Sequence, residues 1–269
     1  MILLFDFLSI LSTNILIFSL LWSFFYFKGK ISWVDFCWSS SIGIWSLVHA
    51  YEAKNTLQSE SLFALSMIVF FWSFRLSTHL FFRTLLSKGE DRRYEEIKRK
   101  TPTKAWSKKT LFIFLMNAAL VSILLVPQRI LAYADSPSIT LWQAFASALC
   151  LLAIAGESLA DSQLKKHLLL KSNTTCQKGL WKYSRHPNYF FEWLFWVAVY
   201  LFTIKAPYSQ WALSAPVLMF IFLNYFTGIK ISEKNAELRR KDFAEYKKKT
   251  SAFFLFFPKK NSSIRHNFD

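Results

Sequence analysis

One short run of the chain gathers most of the side chains able to do polar chemistry: Gly179-Leu180-Trp181-Lys182-Tyr183-Ser184-Arg185-His186-Pro187-Asn188-Tyr189-Phe190-Phe191-Glu192. Pro187 suits the first turn of a helix and biases His186 away from helical backbone. The run therefore predicts a turn that opens directly into a helix. Asn188 and Glu192 stand four residues apart and share one face of that helix. The helix continues into the apolar stretch 193–204. A carboxylate at the mouth of a lipid-buried helix is costly unless a partner or ligand compensates it. Lys182 and Arg185 with flanking Trp and Tyr would suit a headgroup anchor. An anchor, however, needs no His-Pro-Asn-Tyr followed by Glu, so the run points to ligand binding.

Other polar residues recur at helical spacing. Arg75, His79 and Arg83 are four apart in the third apolar segment and make one polar face, read as an anion or substrate wall. Glu157 and Asp161 share a face of the fifth. They either pair with Arg75 or Arg83 or hold the hydroxyls of a bound ribose, and spacing leaves both open. Asp35 and Trp38 open the second segment. Between the third and fourth segments, Gly89-Glu90-Asp91-Arg92-Arg93-Tyr94-Glu95-Glu96 mixes charge signs as a folded elbow does. These residues converge on one end of the bundle, which predicts a pocket open to the cytosol and to lipid. The chain has no GxGxxG after a strand, no P-loop, no HExxH and no GxSxG. His186 has no second His or Cys at ligand spacing, so no metal is expected.

The elements that must position these residues are membrane helices. The chain of 269 residues is 53% hydrophobic, with 29 Phe and only 6 Gly. That load suits a polytopic membrane protein. Seven segments are long enough to cross a bilayer, about 2–27, 32–51, 61–82, 110–133, 140–164, 188–204 and 208–229. The net charge of +16 lies in the connectors rather than on one soluble face, so nucleic acid is not an expected partner. Counted against these spans, 29 of the 33 Lys and Arg fall on one side and 3 on the other (Lys54, Lys205 and Arg129, the last near the end of its span), with Arg75 deeper inside a span. The positive-inside rule then places the N-terminus outside and the C-terminus in the cytosol. Cys37, Cys150 and Cys176 form no CxxC and suggest neither disulfide nor zinc. The fold class is an all-α polytopic membrane helix bundle, a single membrane domain over 1–269. Residues 230–269 are expected as a cytosolic helix and tail packed on the bundle. Oligomeric state is not legible.

The run 179–192 resembles the signature of a domain-of-unknown-function group of membrane proteins with the steroid 5-alpha-reductase-like C-terminal domain. Supporting pieces stand in the expected order: Asp35-x-x-Trp38, Arg75-Leu76 through Arg83, Gly89-Glu90-Asp91-x-Arg93-Tyr94, Gly156-Glu157-x-x-x-Asp161-x-Gln163, and Glu245-Tyr246 leading to Phe257-Pro258. The group is similar to steroid 5-alpha-reductases, and more distantly to sterol reductases and isoprenylcysteine carboxyl methyltransferases. The reductases imply NADPH and reduction of a conjugated carbon–carbon double bond in a lipophilic substrate. The methyltransferases imply S-adenosylmethionine instead. A third reading, from the basic loops alone, is a non-enzymatic lipid-binding membrane protein resting on anionic lipid, which leaves Glu157, Asp161, Asn188 and Glu192 unexplained. By the reductase resemblance, Glu157, Asp161, Tyr183, Asn188 and Glu192 line the nicotinamide nucleotide site, with His186 and Tyr189 in the same run. Arg83, Arg93 and Arg185 are expected on the phosphates. Tyr94 or His79 is expected to hydrogen-bond the substrate carbonyl. Phe191 stands where related motifs often carry Gly, which predicts a bulkier helix approach. The expected partners are the lipophilic substrate and membrane lipids, in the plasma or inner membrane of a bacterium or the endoplasmic reticulum of a eukaryote.

Overall fold

The computed structural model of the protein describes residues 2–57, 59–134, 138–170, 174–226 and 228–259. The last ten positions of the predicted tail, 260–269, lie outside the described residues. The described chain is helical, with one isolated bridge between Ser184 and Ser251 as its β pairing. Its helices are α1 (Ile2–Lys28), α2 (Trp33–Glu52), α3 (Glu60–Leu86), α4 (Arg92–Lys100), α5 (Trp106–Leu124), α6 (Val126–Ala132), α7 (Leu141–Leu169), α8 (Pro187–Thr203), α9 (Ser214–Ile221), α10 (Ile229–Glu237) and α11 (Phe243–Lys249).

Among the described residues, five stretches are long and apolar enough to cross a membrane: Leu3–Lys28, Glu60–Leu86, Thr103–Ala132, Leu141–Leu169 and Ser209–Phe226. They fit a membrane protein. The two remaining predicted segments fall short for different reasons. α8 has 17 residues, about 26 Å at helical rise against a hydrocarbon core of about 30 Å. α2 has 20 residues but is diluted by serines. The predicted fourth segment breaks at Leu125, just before Pro127, into α5 and α6. In the predicted seventh, a 3₁₀ turn (Ser209–Leu213) leads into α9, and a π turn (Phe222–Phe226) follows it.

The chain divides into two compact units. Unit 1 is Met1–Ser147 with Ala198–Ala215, and unit 2 is Ala148–Val197 with Pro216–Asp269. In unit 1, α2 lies along α3 and α1 along α5. The serines of α2 account for the first contact. Gly43 sits so close to α3 that a Cβ on it would meet Ser73 Oγ at 2.5 Å. Ser73 donates to the Ser39 carbonyl, and Ser77 Oγ donates to Ser39 Oγ at 2.9 Å. Small hydroxylated residues thus bring two helices into backbone range, as they do between membrane helices generally. Trp72, Phe18, Phe114, Leu62 and Leu65 are fully buried in this unit.

In unit 2 the core is aromatic. Phe195 and Trp196 of α8 are fully buried. Phe190 and Trp193 meet Phe253 and Phe254 of the C-terminal segment at centroid distances of 5.8–6.1 Å, mostly edge to face.

Candidate functional site

The predicted site residues fall into two groups, one in each unit. In unit 1 the elbow folds back on the start of α2. Asp91 caps α4 by accepting from the Arg93 backbone N–H at 2.9 Å, and it also accepts from Arg93 Nε at 3.0 Å. Glu90 accepts from the backbone N–H groups of Ile31 and Ser32, where the α2 dipole favours a carboxylate.

Asp35 is the hub. It accepts from Arg83 Nη2 at 3.1 Å, from Arg93 Nη2, and from the Tyr94 hydroxyl at 2.7 Å. Burial raises the Tyr94 phenol well above its usual value, and the Asp35 charge adds to the rise. Arg93 stays charged: burial works against it, but Asp35 lifts it well above its ordinary value. Burial would raise the Asp91 carboxyl, yet its hydrogen bonds from Arg93 bring it below the usual range. The hydroxyl proton of Tyr94, expected on a substrate carbonyl, is thus directed at Asp35. The two guanidinium groups expected on phosphates are also drawn to Asp35 and Asp91. His79 lies one turn before Arg83 on α3 and is exposed.

At the far end of the same unit a second polar cluster went unanticipated. Arg129 of α6 donates to Glu52 of α2 at 2.7 Å and to Asp6 of α1, which also takes the Tyr133 hydroxyl. A cavity of about 490 Å³ lies at this end too, lined by Ala53, Lys54, Ser59, Glu60, Phe63, Ala64 and Ile139. This is the opposite end of α2 and α3 from Asp35 and Arg83, so it is not the cytosol-facing pocket that the polar residues predicted.

In unit 2 the run 179–192 is held from two directions. From one side it docks on α7. Gly179 has φ +59°, and a Cβ there would meet Gln163 Nε2 at 2.5 Å. Leu180 N–H donates to Gln163 Oε1 at 2.9 Å, and Trp181 Nε1 donates to the Ala160 carbonyl at 2.9 Å. Asn188 Nδ2 donates to Asp161 Oδ1 at 3.2 Å, and Asn188 Oδ1 is buried with no hydrogen-bond partner among the described residues. Phe191 lies against Gly156: a Cβ on Gly156 would stand 2.4 Å from Phe191 Cε1. The bulk expected at Phe191 is therefore absorbed by a glycine on α7. Glu157 and Glu192 are both buried, and Glu192 accepts from Trp196 Nε1 at 3.3 Å.

From the other side the run is held by the C-terminal segment. Arg185 N–H donates to the Ser251 carbonyl at 2.8 Å, and Phe256 N–H donates to the Tyr183 carbonyl at 3.1 Å. Ser184 Oγ donates to the Phe253 carbonyl at 2.8 Å. The Tyr246 hydroxyl reaches the carbonyls of Trp181 and Ser184. The Arg185 guanidinium donates to Glu233 at 2.7 Å, to the Lys247 carbonyl at 3.0 Å and to the Thr250 carbonyl. Arg185 is thus committed to α10 and the tail, which is a structural use of the donors that the sequence reading sent to a phosphate.

His186, nine-tenths buried, stacks flat on Tyr189 with ring centroids 5.3 Å apart. The Tyr189 hydroxyl lies 3.5 Å from Ser232 Oγ. Burial pushes the His186 imidazole below its ordinary value, although Glu233 pulls it the other way. Burial alone would raise Glu233, but contacts with His186 and Arg185 hold it at about 2. The consistent charge state is a neutral His186 beside an ionised Glu233, with Arg185 supplying the countercharge. Pro187 stands at the first position of α8, and Phe190 N–H donates to the His186 carbonyl at 3.1 Å, as the sequence predicts. Glu233 was the residue that pattern reading missed. It is one of four acids among the basic residues of 230–249, and nothing in the spacing singles it out.

No group of three or more His, Cys, Asp or Glu able to hold a metal occurs among the described residues. No curated protein and no solved structure matches the chain. The family model described as "Protein of unknown function (DUF1295)" matches residues 21–250, and the chain belongs to that family.

Proposed function

We propose that the protein is an integral-membrane reductase that uses NADPH to reduce a conjugated carbon–carbon double bond in a lipophilic enone. The observation that carries this reading is the docking of Glu157-x-x-x-Asp161-x-Gln163 on the turn and helix of 179–192. It sets an amide oxygen on Asn188 that has no hydrogen-bond partner among the described residues at the head of an apolar helix, beside the buried carboxylates Glu157 and Glu192. Buried polar groups in such a setting serve partners or ligands. The resemblance of the same residues to the steroid reductases adds the cofactor.

In this reading Glu157, Asp161, Tyr183, His186, Asn188, Tyr189 and Glu192 of unit 2 hold the cofactor. NADPH, when bound, supplies the hydride. The chain's residues orient the reactants and exclude water, and a polar donor stabilises the developing enolate oxygen. The helices cross seven times, with the N-terminus outside and the C-terminus cytosolic, in a bacterial inner membrane or the endoplasmic reticulum.

A second reading, an S-adenosylmethionine-dependent methyltransferase acting on a lipid, is favoured by one observation. Arg83, Arg93 and Arg185 all pair with carboxylates of the chain, which lessens the cationic surplus that a phosphate-bearing cofactor uses. Mass spectrometry of the nucleotide that co-purifies with the protein separates the two. NADP(H) is the expected species; an S-adenosyl species would overturn the reductase.

A further inference from the structure

We propose that Glu233 is a positioning residue of this site, which commits Arg185 to the C-terminal segment and fixes the tautomer of His186. The inference rests on the reductase reading above for its cofactor but not for its geometry. One oxygen of the carboxylate, Oε1, faces both neighbours of the turn: Arg185 Nε at 2.7 Å and His186 Nε2 at 3.4 Å. The other, Oε2, is 3.4 Å from Lys247 Nζ on α11. Glu233 is 7% exposed and Arg185 9%, so neither charge is relieved by water.

The tautomer follows from electrostatics. The His186 ring is held flat on Tyr189, which fixes the plane of the ring, and its Nε2 edge faces Glu233. His186 Nε2 is buried with no hydrogen-bond partner of ordinary length among the described residues. A carboxylate oxygen 3.4 Å away repels a bare nitrogen lone pair and attracts an N–H. The neutral ring therefore carries its proton on Nε2 and presents Nδ1 as an acceptor. His186 then takes a hydrogen bond from a donor on the bound cofactor, a hydroxyl or an amide N–H, and does not donate to a phosphate. Arg185 Nε and Nη1 are committed to Glu233 and to the Lys247 and Thr250 carbonyls, which draws the Arg185-His186 pair away from a phosphate role. The phosphates fall to other cations.

The test uses the full-length protein in lipid nanodiscs with ¹⁵N-labelled histidine. The wild type should show one neutral tautomer for His186, with Nε2 protonated, and Glu233→Gln should populate both tautomers. NADPH affinity should fall roughly ten-fold in Glu233→Gln, because His186 loses the carboxylate that fixes its tautomer, and recover partly in Glu233→Asp. An Nδ1-protonated ring in the wild type overturns the proposal without any variant having to fold. So does an unchanged tautomer and unchanged NADPH affinity in a folded Glu233→Gln protein. If the wild type binds no NADPH but shows the Glu233-dependent tautomer, the reductase reading fails while the positioning role stands.

Discussion

Gly156 and Phe191 form a lock-and-slot pair: the aromatic ring on α8 fills the space that any side chain at position 156 of α7 would occupy, with a Cβ 2.4 Å from the ring. The contact lies next to Glu157 on one helix and Glu192 on the other, so the same slot sets the approach of two buried carboxylates. Gly156→Ala should therefore lower stability by about 1–3 kcal/mol through overpacking. Pairing it with Phe191→Leu should cost less than the sum of the two single changes. Thermal unfolding in detergent checks the cycle; strict additivity would mean that the two residues do not share the slot.

The Asp35 hub separates buried pairing from surface pairing. Arg93 and Asp35 have side chains 25% and 17% exposed, while Arg83 is 43% exposed. Asp35→Asn strips the charge that two guanidinium groups and the Tyr94 hydroxyl share. It should cost about 2–3 kcal/mol, less than a fully buried pair would. Arg83→Ala should cost under about 1 kcal/mol. Chemical denaturation of the three proteins orders them, and an Arg83→Ala loss equal to that of Asp35→Asn would contradict the hub.

The turn in unit 2 makes stability pH-dependent in two windows. His186 sits below its ordinary 6.5 when folded. The unfolded chain therefore takes up the proton first, and stability falls as pH drops below about 6.5. Glu233 is held at about 2 against an ordinary 4.5. Its contribution is complete above 4.5 and is lost as pH falls from there toward 2. Melting temperature should thus be flat at neutral pH and decline on acidification. Glu233→Gln should remove the lower window and leave a decline that begins near the histidine range. A wild-type profile that rises below pH 6 would reverse the sign of the His186 effect.

The proposed orientation predicts where reporters fall. Fusions after Lys109 and at Asp269 should be cytosolic, and one after Lys54 external. If Lys109 and Asp269 report opposite sides, an even number of crossings cannot lie between them and the seven-crossing arrangement fails.

Much of the architecture was legible in the sequence because it depends on period and length. Apolar runs near 20 residues and the scarcity of Gly determined a helical membrane protein. Pro187 determined where α8 begins, since a missing N–H costs nothing in a first turn. The motif pairs were also visible, but not what they do to each other. Asp35 and the Gly89–Tyr94 elbow are more than fifty residues apart in the chain, and only folding shows that Arg93 and Tyr94 spend their donors on Asp35. The Gly156 slot could not be read from Phe191 alone. Arg185 looked like a phosphate ligand because a guanidinium's partner is decided by distance, and Glu233 lies 48 residues downstream. Residue types and spacing determined which groups are costly to bury; tertiary structure decided which of them satisfy one another, because hydrogen bonds and ion pairs form between neighbours in space.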